Sequence, residues 1–408
     1  MNKLSLAFLL GIFLLGCDWN YINWDKPAGY VDPATLNTGL PIVRIDTAEG
    51  RNITSRKDYL PAEITITDAV HHEYDLTAAA EVRGRGNATW VHFAKKPYRI
   101  KFDKKQKLFN IDDKAKSWVL LACAGDETLI RDTLAFELGR RFGLPFTNHY
   151  VPVELVLNGE YRGSYLLTEQ MQTGAGRVDI DEDAGWLVEL DNGFDEEPKF
   201  RTNLIPFPVM IKTPETILNG VSDNFVKQDM NNFIGALFAD SFPDNGYRDL
   251  INMDTFVDYI MIQEFMKNSD FWSLRSVYMY KDAGGPICMG PLWDFENTLK
   301  DSPDERRPDS GEDYTQLGEL LWGRFFEDPL FRARYKERWA THHSAITEMA
   351  EMDGFIDDMK TKLSQSYRTD YYLWHGTYPS EDAYSARLDA VKAWWDARIT
   401  YMNGVIQP

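Results

Sequence analysis

Asp270 closes the run MIQEFMKNSD, and Asp294 lies 24 residues further on in MGPLWDF. Between them SVYMYKDAGGPICMGPLW reads as two strands joined at Gly284-Gly285. Upstream, Asp254 to Lys267 reads as a helix. The order is therefore helix, loop with Asp, hairpin, Asp-Phe. It brings two carboxylates to one end of a hairpin, where they could share a metal ion. Metal-assisted group transfer needs one carboxylate to accept a hydroxyl proton and another to hold the cation. Asn268 offers a second oxygen ligand, and Arg275 could neutralise phosphate charge or orient Asp270. The competing reading is that an Asp following a helix simply caps a turn.

These residues need elements to hold them. Short β-branched, apolar runs at Pro41 to Asp46 and Ala62 to Thr67 read as strands, and Thr77 to Arg85 leads into RGRGNATW. Tyr98, Ile100 and Phe102 alternate with Arg99 and Lys101, the pattern of a strand with one buried face. Ser117 to Cys123 is apolar throughout. A helix from Asp126 to about Phe142 stops at Gly143 and Pro145. Val151 to Leu157 and Tyr161 to Leu167 flank Asn158-Gly159, a strong hairpin signal, and Trp186 to Leu190 reads as a further strand. After Asp191 the chain reads as loop to about Ile217, and then as helices, including 328–352, 354–367 and 380–403. Strands dominate the first half and helices the second, so a cleft between the halves is the natural ligand site.

The first half carries candidate partners for phosphate. Arg83 and Arg85 in RGRGN follow a strand, with glycines that let backbone approach a ligand; the alternative is a tight turn with solvated charges. Lys101 lies on the polar face of its strand, and Glu137 lies mid-helix, with Glu127 earlier. Protein kinases pair a strand Lys with a Glu of the following helix, and set a catalytic Asp ahead of a metal-binding Asp. The alternative for Lys101 is an ordinary surface cation. Glu169, in Thr168-Glu169-Gln170, ends the hairpin where a link between lobes would pass, so backbone there could meet an adenine edge; a capping turn is the other reading.

Composition sets broad bounds. The 408 residues, 44% hydrophobic and 26% charged, suit one large two-lobed domain or two domains. A net charge of -19 argues against a general nucleic-acid binder. Lys3 precedes an apolar run from Leu4 to Leu15, short for a membrane span, and Leu14-Leu15-Gly16-Cys17 resembles the bacterial lipoprotein cleavage box. That resemblance implies lipidation at Cys17, export, and a tether over 18–40 that holds the domain outside the cytoplasmic membrane; an ordinary signal peptide is the alternative. Cys123 and Cys288 each sit in apolar runs and read as buried free thiols rather than a disulfide. No CxxC or His-rich spacing points to structural zinc.

RGRGNATW, KKPYRIKF, LIRDTLAFELGRRFGLPF, PVELVLNGEYRGSYLLTEQ, KNSDFWS, VYMYKD and MGPLWDFENTL resemble, in this order, the CotH family, named for a bacterial spore-coat protein. The resemblance spans about 80–300, more thinly to 400. It implies an α+β, bilobal, atypical protein-kinase-like fold, with a β-rich N-lobe over 41–173 and a mainly helical C-lobe over 174–408. It implies transfer of the ATP γ-phosphoryl group to Ser or Thr of a protein substrate, with Mg²⁺ or Mn²⁺. Asp270 matches the catalytic Asp, and Asp294 the metal-binding Asp. Arg83, Arg85, Lys101, Glu137 and Glu169 are the candidate nucleotide or phosphate contacts, and Asn268 joins Asp294 at the metal. Two further functions fit the residues: a surface lipoprotein that binds a partner without chemistry, as fungal relatives do in adhesion, and a nucleotidyl transferase.

Overall fold

The structure is a computed structural model and describes residues 28–111, 113–218, 220, 224–304 and 316–406. Cys17, its cleavage box and the start of the tether lie outside the described residues. The end of that stretch runs along the body of the protein, with Gly29 N–H donating to Leu373 O at 2.8 Å.

The first half opens with strands β1 (Ile42–Thr47), β2 (Leu60–Thr67) and β3 (Leu76–Gly84) and the one-turn helix α1 (Ala88–His92). Strands β4 (Tyr98–Gln106) and β5 (Ala115–Leu121) follow, then helix α2 (Arg131–Phe142) and the hairpin β6 (Tyr150–Leu157) and β7 (Glu160–Glu169). The seven strands close into a barrel in the order β1-β2-β3-β4-β5-β7-β6, with β1 and β6 joined in parallel. Alternation fills its interior with Val43, Ile64, Val82, Ile100, Phe102, Trp118 and Leu155. Strand β5 is apolar without alternation because both of its faces are covered. Trp118 and Leu120 point into the barrel, while Val119 belongs to the core that surrounds α2.

Strands β8 (Trp186–Leu190), β9 (Lys199–Arg201) and β10 (Pro208–Thr213) lead into helices α3 (Glu215–Leu218), α4 (Phe225–Leu237), α5 (Met253–Phe265) and α6 (Ser269–Trp272). Strands β11 (Val277–Lys281) and β12 (Ile287–Met289) precede helices α7 (Leu317–Phe325), α8 (Pro329–Thr347), α9 (Phe355–His375) and α10 (Ala383–Ile406). A second sheet runs β12-β11-β8-β10-β9. Two of its strands, β9 and β10, fall where the sequence reads as loop. Cys123 and Cys288 are free thiols.

Helix α5 is buried all round from Thr255 to Phe265, so its polar groups need partners. Arg334 and Arg338 of α8, one turn apart, chelate Asp254 and Asp258, also one turn apart. Arg398 of α10 is fully buried and donates to Glu264 O at 2.8 Å and Phe265 O at 3.1 Å. It thereby satisfies carbonyls that the helix end leaves unpaired. This fixes the point where the chain leaves α5 toward Asp270. Helix α9 is tied to the barrel by Asp370, which accepts from Ser164 N at 2.8 Å and pairs with the buried Lys95 at 2.7 Å.

Gly318 lets α7 lie directly on α6. A Cβ there would stand 2.3 Å from Trp272 O and 2.7 Å from Phe271 O, which are backbone atoms with nowhere to go. Gly318→Ala is expected to lower the urea unfolding free energy by about 1–3 kcal/mol. An unchanged midpoint would mean the helices are not in this contact.

Candidate active site

Four segments meet around the two aspartates. The first is the turn after α5. Asn268 is buried and caps α6: its Oδ1 accepts from Asp270 N at 3.1 Å, and its Nδ2 donates to Asp294 O at 3.2 Å. The second is the turn after β12, where Asp294 adopts φ 63°, a left-handed conformation that Asp tolerates better than most residues. The two turns are stitched further by Leu299 N to Met266 O at 3.2 Å and by a long contact of 3.5 Å from Asn297 Nδ2 to Asp270 Oδ2. Ser276 Oγ lies 3.3 Å from Asp294 Oδ2 and donates to it.

The third segment is the start of α2 with the loop before it. Asp132 Oδ1 accepts from Phe295 N at 2.8 Å, Gly125 N donates to Glu296 Oε1 at 2.5 Å, and Arg131 Nη1 donates to Glu296 O at 3.1 Å. Three bonds thus clamp the turn that presents Asp294. The fourth segment is the end of β3, where Arg85 lies over the Trp293 ring at 5.3 Å and within the field of Asp294, Asp132 and Tyr278.

Four carboxylates, of Asp270, Asp294, Asp132 and Glu296, crowd together here. Burial pushes Asp294 well above the ordinary carboxylate range, and Asp270, Asp132 and Glu296 add to it, with Arg85 opposing. Burial raises Asp270, against the pull of Asn297, Arg275 and Lys300. It raises Asp132 to about 7 and Glu296 in the same direction. A bound cation would relieve this repulsion. Among the described residues no three His, Cys, Asp or Glu side chains form a ready metal cage. Mg²⁺ needs only one or two carboxylates when phosphate oxygens and water complete its shell, and Asp294 with Asp270 supplies that hard-oxygen set. Both aspartates are half-buried, with Arg275, Asn297 and Lys300 exposed at the rim. Two shallow depressions, of 230 and 240 Å³, lie elsewhere, beside Arg177 and beside Lys360.

The other candidates are placed differently. Lys101 is exposed, opposite Glu81 and Ser117 in the barrel register, with its amine over the Tyr59 ring at 5.8 Å. Glu137 is bound by Arg140 at 2.6 Å and Arg141 at 2.9 Å, so it is held by its own helix rather than by Lys101. Glu169 is fully buried, pairing with His149 at 2.7 Å and Arg177 at 3.3 Å. Asn268 spends its side-chain oxygen on a backbone amide, which makes it a brace between the two turns. Arg83 donates to Arg56 O and to Gly84 O at 3.0 Å, and its guanidinium lies over Tyr59 at 5.1 Å.

Sequence reasoning missed Asp132, Glu296, Asn297 and Ser276. Glu296 and Asn297 stand directly after the Asp-Phe pair, the one signal that could have found them.

These two stitched turns, with arginines brought up from a strand end, suit a kinase-like protein. Residues 82–402 match the family model described as "CotH kinase protein", and the chain belongs to the CotH family. No curated protein matches the chain. Among solved structures, a "golgi casein kinase" aligns over 88% of this chain and 73% of its own, at 9% identity and a TM-score of 0.29. A likeness that faint adds nothing to the argument about fold or site.

Proposed function

We propose that this protein is a metal-dependent protein kinase that transfers the γ-phosphoryl group of ATP to a Ser or Thr hydroxyl. The observation that carries the reading is the stitching of the Asp270 and Asp294 turns into one acidic, half-open site faced by Arg85. In this reading the barrel and the helical remainder act as two lobes, and the export signal places the domain on a lipid anchor at Cys17. Among the described residues no helix is long and apolar enough to cross a membrane.

Asp270 is the base. It takes the proton of the attacking hydroxyl as the new O–P bond forms and the bond to the departing ADP breaks, and later yields that proton to solvent. Burial raises its pKa, which makes it a better proton acceptor than an ordinary carboxylate. Asn268 and Asn297 fix its backbone and one carboxylate oxygen. Asp294, with Asp270, would hold Mg²⁺ or Mn²⁺. When bound, the cation neutralises charge on the phosphate oxygens. Arg85 faces the same oxygens from the barrel, and Asp132 holds the Asp294 turn in place.

The test is transfer of label from [γ-³²P]ATP to serine-rich protein with Mg²⁺ or Mn²⁺. Metal-dependent phosphoserine is the expected product, lost on chelation and in Asp270→Asn. Absence of transfer to the protein itself and to a panel of serine-rich acceptors, with nucleotide and metal both shown to bind, would leave a binding module. An adenylyl adduct by mass would point to nucleotidyl transfer.

A further inference from the structure

Strand β3 carries Arg83, Arg85 follows just past its end, and the register of β3 with β4 sets Arg99 directly opposite Arg83. Like charges in directly opposed positions destabilise a sheet unless an anion lies between them. Arg99 has a single long hydrogen bond, 3.4 Å to Ser117 Oγ, and its Nε is buried without a partner among the described residues. Burial lowers the Arg99 pKa, and the nearby charges of Arg83 and Arg85 lower it further. Arg83 is held in place by two backbone carbonyls, and Arg85 stands beside Asp294. A row of guanidinium groups therefore leads from Asp294 along the rim of the barrel.

Beyond the acids around Arg85, a further protein anion reaches Arg83 and Arg99. Glu196 lies between β8 and β9, with a side chain 63% exposed, and bonds to Lys212, which also pairs with Glu189 at 2.6 Å. Arg83 and Arg99 join Lys212 in stabilising the Glu196 carboxylate against partial burial. A two-oxygen carboxylate on a loop is a weak substitute for a multiply charged phosphate chain, which planar guanidinium forks match better.

We infer that Arg99 completes, with Arg83 and Arg85, a polyphosphate cradle beside Asp294, and that Glu196 is the resident anion that incoming phosphates displace. The inference rests on the phosphoryl-transfer reading for its ligand, and it replaces Lys101 by the residue one row closer to the site. The strand period of two places both on the same polar face. Arg99 is then a binding residue, and Glu196 sets how tightly the cradle accepts phosphate.

Tripolyphosphate binding to the full chain, measured by calorimetry in chelator, tests the cradle without catalysis. Wild type should bind. Arg99→Gln should weaken binding about tenfold to a hundredfold, the loss of one charge-assisted contact. Glu196→Gln should tighten it several-fold, an opposite change that a merely structural role would not give. Should Arg99→Gln fail to fold by circular dichroism, Arg99→Lys keeps the charge, loses the fork and should still bind less well. No binding by wild type, equal binding by the Arg99 variants, or weaker binding by Glu196→Gln overturns the inference. If tripolyphosphate binds in this pattern and no label is transferred, the cradle stands and the kinase reading falls. Transfer that is indifferent to Arg99 gives the reverse.

Discussion

Asp294→Asn should make the protein more stable and nearly inactive at once. The carboxylate sits among Asp270, Asp132 and Glu296, each of which raises the cost of its charge. Asparagine keeps the shape, tolerates φ 63°, and retains an acceptor for the Ser276 hydroxyl. Removing the charge should raise the unfolding free energy in chelator by about 0.5–2 kcal/mol, the pattern of a function-stability trade-off. Phosphoryl transfer should drop by about 10²–10³, the scale of losing one electrostatic stabiliser at a reacting centre. Asp270→Asn should cost about 10²–10⁴ in rate and weaken metal-dependent nucleotide binding less than Asp294→Asn does. Rates of label incorporation and thermal denaturation in chelator are the measurements. An Asp294→Asn protein that is less stable than wild type, or as active, removes Asp294 from the metal site.

The second large effect is a linkage between protons and metal. Asp132 is pushed up to about 7, and Asp294, Asp270 and Glu296 are raised in the same direction. Unfolded carboxyls release their protons near pH 4, so between about pH 4 and pH 7 the folded protein binds more protons than the unfolded chain. These groups therefore favour the folded state at low pH. For Asp132 this contribution is lost as pH rises through that window and is gone above about 7; the other three change in the same direction. For Asp132 alone the difference amounts to about 4 kcal/mol. On the proposed reading a divalent cation takes over the role of the protons. Mg²⁺ at about 10 mM should thus raise the melting temperature clearly at about pH 8 and little at about pH 5.5. Calorimetric scans at both pH values, with and without metal, check this. Equal shifts would mean that the cation meets carboxylates of ordinary acidity, elsewhere on the surface.

The order of Asp270, hairpin and Asp294 could be read from sequence because it is local: a helix end, a Gly-Gly turn and an Asp-Phe pair within one short stretch. The family resemblance could be read because seven runs keep their order. What the sequence hid is where the barrel meets the remainder. Arg99 and Lys101 share a strand face, and only docking of the second sheet decides which of them lies beside the acids. Glu137 and Asp132 share a helix. The sequence did hold a warning against Glu137, since Arg140 and Arg141 follow at the i+3 and i+4 spacings that pair along one helix face. Asp132 gave no such signal, because its partner is the backbone amide of Phe295, 163 residues away. Strand β5 lost its alternation by being buried on both faces, and Glu169 ends a strand in a way that reads the same whether its side chain turns in or out.

The closed barrel has one consequence for how copies of this chain behave when crowded. Its seven strands close on themselves, so the barrel has no edge strand that a neighbouring molecule could extend. Open borders in the second sheet are confined to β9 and β12, each three residues long, and β9 carries Lys199 and Arg201. Short, charged borders template fibrils poorly. Topology, and not surface charge alone, thus limits strand addition between copies of this chain.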